Sequence, residues 1–331
     1  MPRRLSVAQA RLVWWIIGIG FTLVMGLRHE VGGDWGAYDR QFSHVASLAF
    51  SKVVSTTDIG YHLLNWLVAQ LSGSIYTVNL FCAAVMMWGA VVFCRRQPHP
   101  WLALLAAVPY MLVVVGMGYT RQAVALGFVL LGLSALGSGR VRVFVAWVIM
   151  GALFHKSAVL LLPIAALAAS RNRFLTAFMV ALTTALTYFL LLADSAESLW
   201  MNYVEAQYQS EGGAIRVAMN LVPALLLIIY RKRLVPEGQE RKLWLLIALF
   251  AVMCVPLVGL ASTAVDRVAL YLIPLQLFVF ARLPLLASTT RTRTLIVLGT
   301  VVYYAAVQFV WLNYATHAGY WVPYQFMPLW D

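Results

Sequence analysis

Charged residues are scarce in this chain of 331 residues: they make up 11% of it, beside 62% hydrophobic residues and a mean hydropathy of +0.82. A soluble domain carries about 25% charged residues. That shortage excludes an ordinary soluble enzyme and leaves no room for a separate soluble unit. Cysteine is nearly absent too. Cys82, Cys94 and Cys254 each fall in or at the end of an apolar run, at spacings that fit neither a zinc site nor a disulfide framework. Their expected role is soft packing. The chain also lacks a His-Glu-x-x-His motif, a glycine-rich nucleotide loop and a nucleophile elbow. No metal, cofactor or nucleic-acid partner is therefore expected. Acids are the rarest charged group, 12 against 24 Lys and Arg, for a net charge of +12. In a membrane protein such an excess fixes orientation, because Lys and Arg collect in cytoplasmic loops.

What the chain does have is apolar runs. Spans are predicted at Leu12–Leu27, Ile75–Cys94, Trp101–Val115, Tyr119–Leu136, Val141–Leu153 and Ser157–Ala169. Further spans follow at Phe174–Leu192, Ile215–Tyr230, Leu243–Leu260, Val265–Ala281 and Leu295–Leu312. The expectation is an all-α polytopic membrane protein, a single integral-membrane domain over 1–331, with about 11 transmembrane helices (range of roughly 10–12). Several runs are shorter than the ~20 residues of a perpendicular helix, so re-entrant or interfacial pieces are expected as well. The Met-Pro-Arg-Arg start and the first span read as a retained signal anchor.

With the N-terminus in the cytoplasm, most bases and the acids Glu237 and Glu240 fall inside. Ten of the 12 acids fall outside, with seven bases: Arg28, Arg40, Lys52, Arg121, Lys156, Arg216 and Arg267. Three segments lie on that outer, periplasmic side. The loop 28–74 contains an apolar-periodic stretch, Tyr61–Leu71, suited to an interfacial helix. The loop 194–214 is acidic and carries Trp200, Tyr203 and Tyr208. The tail 313–331 is rich in aromatics, which serve as interfacial anchors or as stacking platforms for sugar rings.

The densest polar stretch, Arg28-His29-Glu30-Val31-Gly32-Gly33-Asp34-Trp35-Gly36-Ala37-Tyr38, exceeds what a connecting loop needs. Arg28, Arg121, Lys156 and Arg267 sit at span ends on the outer side, where a charge costs a few kcal/mol unless it faces a partner or cavity. Arg28 has Glu30 and Asp34 nearby, and Arg267 adjoins Asp266, so ion pairs would account for both. Arg121 and Lys156 have no acid close in sequence. Bases gathered at one membrane face suggest an anion site, and guanidinium matches phosphate oxygens well; snorkelling to lipid headgroups is the plainer account. Proton acceptors on the same side are Asp34, His155, Asp58, Asp266, Glu197 and Glu205. Histidine titrates nearest neutral pH, which favours His155; a helix-capping histidine is the alternative.

With these residues in view, the chain resembles the EpsG-like family of bacterial exopolysaccharide and O-antigen polymerases, the Wzy-type proteins. Matching pieces are Arg28 through Gly33-Asp34 to Tyr38, Asp58-Ile59-Gly60-Tyr61, Tyr119-Thr120-Arg121-Gln122, Phe154-His155-Lys156-Ser157, Asp266-Arg267 and Pro323-Tyr324. One departure is Asp58, where many relatives carry Glu. The resemblance implies a GT-C-like glycosyltransferase of the bacterial inner membrane, with a periplasmic active site. Its donor and acceptor would be undecaprenyl-diphosphate-linked oligosaccharides, with a chain-length regulator protein as a further partner. It also implies roles: Arg28, Arg121, Lys156 and Arg267 on the diphosphate, Asp34 or His155 as the base, and Tyr38, Asp266 and Tyr324 orienting substrate. An O-antigen ligase would share this charge layout. A flippase of lipid-linked oligosaccharide would need polar residues through the membrane, and an acyltransferase would need donor access from the cytoplasm.

Overall fold

The computed structural model describes residues 6–56, 58–163, 212–259 and 262–329, and among them every regular element is helical. Helix α1 (Val7–Gly26) begins five residues before its apolar run. The cause is a capping box: the Ser6 hydroxyl accepts from the Gln9 amide at 3.1 Å, and the Gln9 side chain accepts from the Ser6 amide at 2.9 Å. Three short helices follow, α2 (Trp35–Ala46), α3 (Phe50–Val54) and α4 (Ile59–Gln70). The apolar-periodic stretch predicted over Tyr61–Leu71 is thus a helix of 12 residues, too short to cross a bilayer.

Helix α5 (Ile75–Arg95) crosses back, and α6 (Pro100–Gly118), α7 (Thr120–Leu136) and α8 (Val141–Phe154) continue the bundle. After residue 211 come α9 (Gly213–Leu234), α10 (Gln239–Leu257), α11 (Ser262–Leu272), α12 (Pro274–Phe280) and α13 (Thr290–Tyr314). Six stretches are long and apolar enough to span: Val7–Gly26, Ile75–Arg95, Pro100–Gly118, Gly213–Leu234, Val265–Leu286 and Thr290–Tyr314. Helices α7 and α8 are shorter apolar helices of the same kind. The chain is therefore a polytopic helical membrane protein. The predicted span Phe174–Leu192, the second half of Ser157–Ala169 from 164 on, and nearly all of the loop 194–214 lie outside the described residues.

Two packing features position the polar face. Helices α5 and α7 approach so closely that a Cβ on Gly89 would overlap the Gly127 carbonyl oxygen. Small residues at a crossing let backbones meet where lipid offers no hydrophobic drive to association. In α6, the segment Val108–Val115 takes wide π-type turns around Pro109, which has no amide proton to donate. Deeper in the bundle, the Tyr304 hydroxyl donates to Gln276 Oε1 at 3.1 Å. Gln276 Nε2 donates to Asn220 Oδ1 and Asn220 Nδ2 to the Ala269 carbonyl, each at 2.8 Å. This saturated chain joins α9, α11, α12 and α13. The three cysteines are free and buried, as the packing role requires.

Candidate active site on the polar face

The stretch from Arg28 to Asp34 is gripped by the C-terminal tail. The His29 amide donates to the Gln325 carbonyl at 3.0 Å, the Met327 amide to the Leu27 carbonyl at 2.9 Å, and the Gly32 amide to the Tyr320 carbonyl at 2.8 Å. Gly32 has φ +103°, and a Cβ there would overlap the Met117 carbonyl oxygen. Only glycine meets both conditions. Arg28 is 1% exposed. Its Nε donates to the Val31 carbonyl at 3.1 Å, Nη1 to the Met25 carbonyl, and Nη2 to Thr120 Oγ1 at 2.8 Å, with Trp35 over the guanidinium at 5.6 Å. Burial lowers its pKa to about 10. Arg28 thus remains charged and spends its donors on protein oxygens, none of them from Glu30 or Asp34.

The second layer centres on Asp58. This residue precedes α4 in the left-handed region, φ 55° and ψ 47°, which aspartate tolerates better than most side chains. Its carboxylate does not cap its own helix. Instead Oδ2 accepts from Arg121 Nη1 at 3.1 Å and lies 3.7 Å from His155 Nδ1, while Oδ1 accepts from the Lys156 amide at 3.2 Å. Burial pushes the Asp58 carboxyl up, but the His155, Arg121 and Lys156 contacts outweigh it and hold it below its ordinary value. Arg121 is therefore paired, contrary to the expectation from sequence, by an acid 63 positions away. The side chains are 7% exposed at Asp58, 13% at His155 and 35% at Arg121, so the guanidinium is the open edge of the group.

His155 ends α8 in an extended conformation that turns it out of the helix. Its Nε2 lies 3.3 Å from Gln122 Nε2. With that amide as donor, the ring proton falls on Nδ1, which faces Asp58 Oδ2 across 3.7 Å, an electrostatic contact longer than a hydrogen bond. Tyr38 lies under Arg121 at 5.8 Å and meets Tyr61 edge to face. Burial, partly offset by Arg121, pushes the Tyr38 phenol up to about 12. It stays a hydroxyl near neutral pH.

A second ion pair stands beside the first. Arg216 of α9 is 4% exposed; it reaches Asp266 Oδ1 at 2.5 Å and donates from Nε to the Tyr110 hydroxyl at 2.6 Å. Tyr110 and Tyr119 flank its guanidinium at 5.3 and 5.8 Å. The π-type segment of α6 supplies Tyr110, and the residue that precedes α7 supplies Tyr119. Helix α11 packs on the turn Lys156–Leu160 and brings Tyr271 into electrostatic range of Asp58.

Of the residues singled out from sequence, Arg121, His155, Lys156 and Tyr38 thus converge, and Asp266 joins through Arg216. Lys156 is half-buried, and its ammonium makes no ion pair among the described residues. Arg267 is exposed; the adjacent carboxylate is taken by Arg216. Asp34 caps α2 by position, with no side-chain cap bond, and is exposed at the rim. Tyr324 donates its hydroxyl to the Val24 carbonyl at 2.7 Å, bracing the tail against α1. Sequence reasoning counted Asp58 among the proton acceptors and Arg216 among the outer bases, named Tyr119 and Gln122 only as parts of a motif, and passed over Tyr110 and Tyr271. Chain distance hid these pairings; the aromatic-flanked Tyr-Thr-Arg-Gln run was the available signal. Among the described residues no three His, Cys, Asp or Glu side chains are grouped as metal ligands.

A polytopic helical membrane protein with a basic, aromatic-lined polar group at one face is the class that fold and site define. The chain belongs to the EpsG family, whose profile matches residues 11–326. It is accordingly a polysaccharide-polymerase-like membrane protein. The comparison with curated proteins gave no match, and the comparison with solved structures gave none.

Proposed function

We propose that this protein is a glycosyltransferase that joins undecaprenyl-diphosphate-linked oligosaccharide repeats at the periplasmic face of the inner membrane. The observation that carries this reading is the Asp58 carboxylate, shared by Arg121, His155 and the Lys156 amide. Asp58 orients the imidazole with Nδ1–H inward, so Nε2 takes the proton of the acceptor sugar hydroxyl when substrate displaces the Gln122 amide. The hydroxyl oxygen forms a bond to the anomeric carbon of the donor, and the bond from that carbon to the diphosphate oxygen breaks. The leaving group departs as an anion. Fixed positive charge stabilises it without a proton, and the open edge of Arg121, the Lys156 ammonium and exposed Arg267 supply that charge. Arg28 and Arg216, both buried and engaged, hold the walls of the site; Asp266 fixes Arg216. Asp34 at the rim and Tyr38 under Arg121 orient sugar, and Tyr324 acts through the tail.

The test is a gel of surface polysaccharide from cells deleted for this gene and complemented with wild type, Arg121→Ala or His155→Ala at matched protein levels. Loss of the long-chain ladder, with single-repeat material retained, supports the reading. Long polymer left on the carrier lipid would instead indicate a ligase, and an unchanged ladder would overturn the proposal.

A further inference from the structure

Helices α1 and α5 pack together far from the Asp58 group, and between them lies a groove of about 590 Å3. Its lining runs from Arg11 to Leu23 along α1 and from Arg95 back to Ala84 along α5. Twelve residues of helix rise about 18 Å, which matches one leaflet of a hydrocarbon core about 30 Å thick. The sequence makes the recess. Gly18 and Ala84 leave its floor low, whereas Trp15 and Trp88 stand as walls.

The groove is not uniformly apolar. Arg11 and Arg95 both line one end of it, both are exposed, and neither makes an ion pair with a described residue. Arg95 closes α5, where the helix dipole favours a cation. Arg11 stands near the start of α1, where the dipole offers a cation no support. Two guanidiniums at the mouth of an apolar channel one leaflet deep complement a phosphodiester with acyl chains.

We infer that the α1–α5 groove binds an anionic glycerophospholipid of the cytoplasmic leaflet, its phosphate on Arg11 and Arg95 and one acyl chain between Trp15 and Trp88. The charge at the groove's inner end selects against a zwitterionic headgroup, whose amine the two arginines repel. The carrier lipid of the proposed reaction is kept from this groove by position, since its diphosphate lies on the opposite face.

The experiment is native mass spectrometry of the detergent-purified full chain titrated with phosphatidylglycerol or phosphatidylcholine. Wild type should bind phosphatidylglycerol more tightly. Since each basic residue near an anionic headgroup is worth about fivefold, Arg11→Gln and Arg95→Gln should each weaken binding by about that factor. Gly18→Leu fills the floor without touching either arginine; a Cβ there meets Val91 Cγ2 at 3.8 Å, an ordinary contact. It should weaken phosphatidylglycerol binding as well, and it keeps the test open should the arginine variants fail to fold. Equal affinity for the two lipids, or wild-type binding by the folded Gly18→Leu protein, would overturn the inference.

Discussion

Asp266 pairs with Arg216, 50 positions earlier in the chain, and not with its neighbour Arg267. The pair is nearly enclosed, with Arg216 4% and Asp266 14% exposed, and Tyr110 and Tyr119 flank the guanidinium. Breaking such a pair from one side leaves a buried charge without its partner and costs about 3–5 kcal/mol. Asp266→Ala should therefore lower the yield of folded, monodisperse protein on gel filtration. Arg267→Ala should leave that yield unchanged and weaken only the handling of the anionic substrate.

Arg121 presents the opposite balance. Its side chain is 35% exposed, and the enclosed Asp58 keeps the Lys156 amide and the nearby His155 when Arg121 is removed, so loss of their bond should cost only about 1 kcal/mol. Arg121→Ala should melt close to wild type in detergent and yet fail to make polymer. Arg121→Lys keeps the charge but not the fork geometry, and should restore little activity.

Buried Arg28 separates structural from catalytic loss. Replacing it with Met strands the Met25 and Val31 carbonyls it now satisfies, at about 1–3 kcal/mol each. Activity of Arg28→Met should fall in proportion to the folded protein recovered, with activity per folded molecule retained.

Much of this arrangement was legible in the sequence, and the part that was not has a plain cause. Apolar runs located the spans, because hydropathy is a property of neighbours in the chain. The start of α1 depended on Ser6 and Gln9, polar residues outside the run. Arg121, His155 and Lys156 stood out as bases and a histidine at span ends. Their common carboxylate did not, since Asp58 lies 63 and 98 positions from Arg121 and Lys156. Adjacency pointed Asp266 to Arg267 and Arg28 to Glu30 and Asp34. A helix displaces adjacent side chains by about 100° around its axis, and a left-handed glycine turned the loop after Arg28 toward the tail.

Acid should act through Asp58. Its folded pKa lies below the ordinary carboxylate value, so its contribution to stability is complete above about pH 4. That contribution is lost as pH falls through the lowered folded value. Wild type should lose melting temperature on acidification below about pH 4. Asp58→Asn should be less stable than wild type near neutral pH and should show a shallower loss in acid. Parallel curves for the two proteins would show that Asp58 carries no such share.

Gly32→Ala tests the grip of the tail. The substitution places a Cβ against the Met117 carbonyl at φ +103°, a backbone region that costs an L-residue roughly 1–2 kcal/mol before any clash. Limited proteolysis should cut the C-terminal tail of this variant faster than that of wild type.

The most direct measurement is the pH–rate profile of purified protein, reconstituted with an undecaprenyl-diphosphate-linked repeat, for wild type and His155→Ala at matched folded amounts. A positioned general base contributes about 10²–10⁴ in rate. The account predicts a loss of that size, together with loss of the pH dependence that a general base gives the wild-type rate. Polymerisation by His155→Ala at the wild-type rate, with an unchanged pH profile, would contradict it.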